Sequence, residues 1–243
     1  MHSVEFDANP MIWEMMNLLW GKTLEVTLQY HNGSGYCCDL LNSYNTTFNE
    51  SSKSKDTIRL WGVNGGSTIV DKAIISENTI SKVEKYAKQY HSIGNVLPLP
   101  NVLNSPHTGR ARYKGMGDYF DNYLEFVKWY YSDDEKQKDE PKFMLNVTDE
   151  GKNYFSKFGC YHNYIEENLL QPFFEDPEYR IIKRLDFRKF LYGEELINKF
   201  IDQSLLIIKD REAMIISSIK EAVEEDPSSK ICELLGSCLC MLA

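Results

Sequence analysis

The residues best suited to chemistry lie in a segment that contains no acid. Between residues 92 and 117 there is no Asp or Glu, yet Arg110, Arg112 and Lys114 fall within five positions, in a chain whose formal net charge is -9. Glycines at 109, 115 and 117 let the backbone approach a ligand closely, and guanidinium groups hold phosphate or carboxylate in two-point contacts. We therefore predict an anion-binding loop at 92–118, with a phosphate-bearing small molecule or an acidic patch on a partner as its ligand.

Each predicted ligand-binding residue has its own role. The three cations supply charge, the amides of Asn95 and Asn104 supply hydrogen bonds, and Asp118 orients an arginine. The alternative is that the cations pair with acidic helices or lie in solvent. Asp118, Asp121 and Glu125 share one helix face, which is typical of a solvated side unless it turns toward Arg110 and Arg112.

A second hypothesis is a metal-dependent nuclease or phosphoesterase. The string Ile-Gly-Asn-Val-Leu-Pro-Leu-Pro at 93–100, followed by Asn104, resembles part of some HNH-type nuclease domains. That resemblance implies a site built from His91, Asn95, Asn104 and His107. Such a nuclease also needs an upstream Asp-His or Glu-His pair to activate water beside the cation, and this sequence has none. Whether the protein is an enzyme stays open.

The cysteines do not form a metal-binding pattern. Cys37 and Cys38 are adjacent and Cys238-x-Cys240 lies near the end, but no pair has the Cys-x-x-Cys spacing of a zinc site. Buried, reduced thiols are the better interpretation. We predict no metal and no cofactor.

Composition limits the classes of function. The excess of 36 acidic over 27 basic residues opposes bulk binding of nucleic acid. No export signal opens the chain, and no apolar run approaches the roughly 20 residues needed to cross a bilayer. We expect a cytoplasmic protein without a membrane segment; its oligomeric state is not determined by the sequence. A third hypothesis is an interaction subunit that docks through its aromatic helices or its apolar tail.

The elements that position the loop follow from periodicity. Residues 10–20 predict a helix that begins at Pro10 and stops at Gly21. Residues 23–30 and 36–41 predict one β-hairpin and residues 57–63 and 68–75 another, with a loop at 42–56 between them. A helix with a capping box at Ser81 and Glu84 follows, ending near residue 91, and 92–117 is predicted to be extended and irregular.

The rest of the chain predicts helices. An aromatic stripe from residue 118 to 130 must face the core, and further helices are expected at 149–158, 161–170 and 194–225. The fold class is α+β and mostly helical, with a small N-terminal antiparallel sheet packed against a C-terminal helical bundle. We predict a single domain over 1–243, in which 10–75 form a helix and the small sheet, 76–226 are mainly helical, and 227–243 form a tail.

The order of these features resembles an uncharacterised bacterial family. The motifs that carry the likeness are Asn-Leu-Leu-Trp-Gly-Lys at 17–22, Ser-Ile-Gly-Asn at 92–95, an arginine-containing turn before Asp-Tyr-Phe-Asp at 118–121, and Tyr-Phe-x-x-Phe-Gly at 154–159. The likeness covers most of residues 10–175. It implies a compact bacterial cytoplasmic protein and no particular reaction.

Overall fold

A computed structural model describes residues 9–29, 35–41, 75–103, 120–132, 147–184 and 194–225, together with the backbone of the strands at 48–50, 57–61 and 67–71. Within these ranges, no helix combines the length and the apolar character that a membrane crossing requires.

The first helical region begins where the sequence predicts and ends later. Helix α1 spans Pro10–Met16, with Pro10 in its first turn and the Asn9 side chain accepting a hydrogen bond from the Met11 backbone N–H. A π-helical turn, Asn17–Gly21, and a short helix α2, Lys22–Leu24, continue the same path. The prediction that Gly21 ends the helix was wrong. The chain leaves the helix at Glu25, whose φ is 54°.

The first predicted hairpin was also wrong. Residues 23–29 form no strand, because the Asn17 side chain occupies the backbone groups that a neighbouring strand would need. Its Oδ1 accepts from the Leu28 N–H at 2.6 Å and its Nδ2 donates to the Leu28 carbonyl at 2.8 Å.

The predicted strand at 36–41 exists with a distant partner. Strand β1, Tyr36–Leu40, pairs antiparallel with Val96–Pro100. The irregular path predicted for 92–117 was therefore wrong at 96–100, where two prolines argue against a strand. The backbone bonds from Asn101 N to Gly35 O and from Leu41 N to Asn95 O show that odd-numbered residues of the later strand bond to β1. The nitrogens of both prolines consequently face away from β1, so no pairing is lost.

The second predicted hairpin is confirmed. Strands β3, Thr57–Trp61, and β4, Ser67–Asp71, pair antiparallel, and β2, Phe48–Glu50, pairs with β3. The strand β2 lies inside the stretch that we predicted as a loop. The predicted turn at 64–66 lies outside the described residues. Strand Val96–Pro100 is β5.

Five further helices follow in the described residues: α3, Glu77–Gln89; α4, Phe120–Tyr130; α5, Asp149–Ser156; α6, Tyr161–Glu167; and α7, Glu194–Glu225. The capping box predicted for α3 was wrong. The cap is Ser76, whose side chain accepts from the Thr79 N–H. The predicted aromatic stripe does face the core, since Phe120, Tyr123 and Phe126 are fully buried.

Helix α7 connects the parts of the molecule. It packs against α3, the π-helical turn, and two 3-10 turns, Ile93–Asn95 and Gln171–Phe173. Its bounds agree with the predicted 194–225. The α+β, mostly helical fold class is confirmed.

Candidate functional site

Asn95 is the member of the predicted anion-binding set that lies among the described residues. It is fully buried, and its Nδ2 donates to the Tyr90 carbonyl at 2.7 Å. This amide thus ties the end of α3 to the turn before β5. Asn104, Arg110, Arg112, Lys114 and Asp118 lie outside the described residues, so their convergence on a ligand stays a prediction.

The residues of the nuclease hypothesis are only partly described. His91 is exposed, with its ring centroid 4.0 Å from that of Tyr90, while Asn104 and His107 lie outside the described residues. Asn95 is fully buried, which keeps its side chain away from a cation at the surface. Among the residues that the structure describes, no three His, Cys, Asp or Glu side chains come together as metal ligands.

A groove between α3 and α7 begins where the acid-free segment begins. The two helices run parallel, because Thr79 bonds to Glu194 at 2.7 Å near both N-termini, and Lys82 pairs with Asp202 at 2.5 Å about one turn further along α3 and about two turns further along α7. Beyond that ion pair the helices enclose an open groove of about 700 Å³. It is lined by Lys85, Gln89, Ser92, Asp202, Leu205, Leu206, Ile208, Lys209 and Glu212.

The charges in this groove are unevenly compensated. Asp202 is already paired with Lys82. Within the described ranges, Lys85 and Lys209 have no carboxylate at ion-pair distance, and both are exposed. Glu212, half-buried, is the remaining acid of the lining. One cation from each helix is therefore free to attract an anion.

Ser92 adds a hydroxyl without a partner. Its residue lines the groove, and its Oγ is buried with no hydrogen-bond partner in the described part of the chain. A buried hydroxyl that makes no hydrogen bond carries a cost of about 1–3 kcal/mol. Because this oxygen has no accessible surface, a ligand oxygen could accept from it only after the side chain turns toward the groove.

Gly94 holds the segment directly against α7. A Cβ at this position would lie 2.1 Å from the Ile208 carbonyl oxygen and 2.9 Å from the Glu212 Cβ. Only a residue without a side chain permits this approach of two backbones. The closeness sets the position of Ser92 relative to Lys209.

Arg211 also holds the segment around Gly94 against α7. The sequence analysis did not predict this role. Its guanidinium is fully buried and donates to the carbonyls of Gly94 at 3.0 Å, Val96 at 2.7 Å, and the turn at 168–169 at 3.1 Å. Its Cζ also lies 5.9 Å from the centre of the Trp20 ring. The signal was present, because Arg211 falls on the apolar stripe of α7 between Ile208 and Ile215.

The turn at 168–169 is shaped to receive this arginine. Leu169 has a φ of 53°, a left-handed conformation that is uncommon for a non-glycine residue. The Arg211 Nε lies 3.3 Å from the Asn168 carbonyl and 3.1 Å from the Leu169 carbonyl. Two consecutive carbonyls thus meet one guanidinium, and those hydrogen bonds help to stabilise the strained backbone.

A buried tyrosine cluster also contacts β5 at the edge that faces away from β1. The Tyr164 hydroxyl lies 3.1 Å from that of Tyr123 and 3.5 Å from that of Tyr154, and Tyr154 donates to the Pro98 carbonyl at 3.3 Å. Burial raises the pKa of Tyr154 and that of Tyr164 well above the ordinary value. These hydroxyls stay protonated at neutral pH and cannot act as bases.

Asp121 and His162 each have a partner nearby. Asp121 is buried rather than solvated, with the Arg184 Nη1 at 4.0 Å, and Arg184 also bonds to Glu125. Our expectation of a solvated acidic face was therefore wrong for Asp121. His162 pairs with Glu166 at 3.1 Å and is exposed.

Comparison with known proteins gives a family and no activity. No curated protein and no solved structure matches the chain. A family model described as a family of unknown function, DUF6994, matches residues 7–215, a stretch that includes every residue of the groove and Arg211. The match confirms the resemblance to an uncharacterised family, and the chain belongs to the DUF6994 family.

Proposed function

We propose that this protein is a bacterial cytoplasmic binding or accessory protein that binds a small phosphate-bearing molecule. The site consists of the groove between α3 and α7 and the acid-free segment, 92–118, that begins at the groove. The observation that supports this proposal most directly is the position of Lys85 and Lys209. They come from two different helices and line one groove, and neither has a carboxylate partner among the described residues.

Phosphate is the ligand that this chemistry favours. Lysine ammonium groups bind phosphate as point charges, and a hydroxyl donates to a phosphate oxygen. Lys85 and Lys209 provide the charge in one groove, and Ser92, which also lines it, would provide the hydroxyl once its side chain turns toward the ligand. The predicted cations Arg110, Arg112 and Lys114 belong to the same segment as Ser92 and would add to the positive field.

The test is titration calorimetry with orthophosphate and pyrophosphate at low ionic strength. The double variant Lys85→Gln and Lys209→Gln removes both groove cations. The control, Lys88→Gln with Lys220→Gln, removes two exposed lysines of the same helices outside the groove. Both proteins change by the same net charge, so a difference between them reports on the groove and not on the overall field.

We expect the groove variant to bind about tenfold more weakly than the control, since each exposed cation contributes up to about 1 kcal/mol. Equal affinity in the two double variants contradicts the proposal for the groove. Arg110→Ala with Arg112→Ala tests the segment in the same assay. If an acidic peptide binds and neither phosphate does, the ligand is a partner protein and not a small molecule.

A further inference from the structure

We infer that the ligand of this groove is a phosphate ester whose organic part is apolar, not a free inorganic anion. This inference rests on the proposed function and narrows it. The groove measures about 700 Å³, within the range of about 300–1,000 Å³ that is typical of pockets for whole organic molecules. Phosphate alone would leave most of that space to water.

The side of the groove that α7 forms has an apolar part. Leu205, Leu206 and Ile208 of α7 line the groove together. Leu206 is 55% exposed, which makes it the most exposed large hydrophobic side chain among the described residues. A single exposed leucine is ordinary, but here it lies in the same groove as two lysines that have no carboxylate partner in the described ranges. An apolar group that covers Leu206 is stabilised by the water it displaces.

The apolar part and the positively charged part of the groove are neighbours along α7. Leu205 and Leu206 precede Lys209 by four and three positions, so they lie about one helical turn, or about 5 Å, before it on neighbouring positions of the helix. The contact of Gly94 with Ile208 and Glu212 places the segment that contains Ser92 at the Lys209 end. The phosphate therefore belongs near Lys209 and Ser92, and the organic part extends toward Leu205 and Leu206.

The polar side chains of the lining fit an ester better than a fully charged polyanion. Glu212 lies at the Lys209 end, and Asp202, although paired with Lys82, lies at the other. The phosphate at the Lys209 end already lies on the side of Glu212, and a second phosphate at the other end would meet Asp202. A neutral apolar group avoids the repulsion of a second phosphate, because the ligand then carries only the charge of the one phosphate that Lys209 and Lys85 attract.

The test measures affinity for orthophosphate and for ethyl, butyl and hexyl phosphate by titration calorimetry with the full chain. We expect affinity to rise about two- to fourfold for each methylene that reaches the apolar wall. Leu206→Gln should remove this dependence on chain length and leave orthophosphate binding unchanged. Lys209→Gln should weaken all four ligands by a similar factor and keep the dependence.

Ile216→Gln is the matched control, since Ile216 is another exposed hydrophobic residue of α7, 40% exposed, outside the groove. It should change neither quantity. Orthophosphate that binds as tightly as hexyl phosphate overturns the inference and leaves the proposed function intact. A chain-length dependence that persists in Leu206→Gln overturns the placement of the organic part. No binding of any phosphate overturns both proposals.

Discussion

Replacement of Gly94 by alanine is the sharpest test of how the segment is held on α7. The added Cβ would lie 2.1 Å from the Ile208 carbonyl oxygen, whereas ordinary contact begins at 3.4 Å. The obstacle is backbone, so the segment and α7 must separate by roughly 1 Å, because no side chain can rotate away. That separation breaks the bonds from Arg211 to the carbonyls of Gly94 and Val96, now 3.0 and 2.7 Å.

The expected cost follows from those two bonds. Hydrogen bonds to a charged donor contribute about 1.5–3 kcal/mol each, so Gly94→Ala should lose roughly 3–6 kcal/mol of unfolding free energy. That is a large part of the roughly 5–15 kcal/mol of a typical domain. The assay is urea denaturation followed by circular dichroism, with unfolding midpoints and slopes compared between variant and parent.

Gly159→Ala is the matched control for that measurement. Gly159 has a φ of 72°, and a Cβ there would meet nothing within 4 Å. The substitution adds left-handed strain of about 1–2 kcal/mol and no clash. If Gly94→Ala costs no more than Gly159→Ala, the two backbones are not in the contact described and the reasoning about the groove's position is refuted.

Three further outcomes are expected. Arg211→Met should cost roughly 3–5 kcal/mol in the same urea assay, because four buried carbonyls lose their donor; a loss below about 1 kcal/mol would contradict this. Hydrogen bonds from Ser76 and Thr79 hold the pKa of Glu194 below its usual 4.5, so its contribution is present above that pH and is lost as the pH falls through the lowered value. Glu194→Gln should therefore lose less stability on acidification than the parent, and an equal loss in the urea assay would contradict this. Plasmid DNA and RNA with Mg²⁺ or Mn²⁺ should show no cleavage above a His91→Ala control, and cleavage that this variant abolishes would revive the nuclease hypothesis.

The long elements were predictable because their signals are local. Helix α7 repeats its apolar residues at helical spacing over 32 residues, and the structure gives it the predicted bounds. The aromatic stripe of α4 is similarly strong, and its side chains are buried as expected. In both helices the periodicity alone identifies the buried face, with no knowledge of the partner needed.

Two wrong predictions about the fold have their cause in contacts between residues that are far apart in the sequence. The first hairpin failed because one side chain, Asn17, satisfies the backbone of Leu28 across a turn. Strand β5 was missed because its prolines look like breakers, yet each nitrogen faces away from β1. The contacts of Asn17 with Leu28 and of β5 with β1 leave no pattern in the neighbouring sequence. The cap of α3 is different, because Ser76 bonds to the Thr79 N–H three residues later and this local signal was overlooked.

The charge of the groove could not be predicted from the sequence either, because it also depends on contacts between distant residues. Sequence reasoning located a cationic segment by counting charges, but it passed over Lys209, which is followed by Asp210 and Glu212, and Lys85, which follows Glu84. Their free charge arises from the parallel packing of α3 and α7, in which Glu194 bonds to Ser76 and Thr79 and Asp202 pairs with Lys82. Asp202 is paired about two turns before Lys209 and Glu194 is bonded about four turns before it. Among the described residues, Glu212 is therefore the remaining carboxylate beside Lys85 and Lys209, at the end where Ser92 begins the acid-free segment.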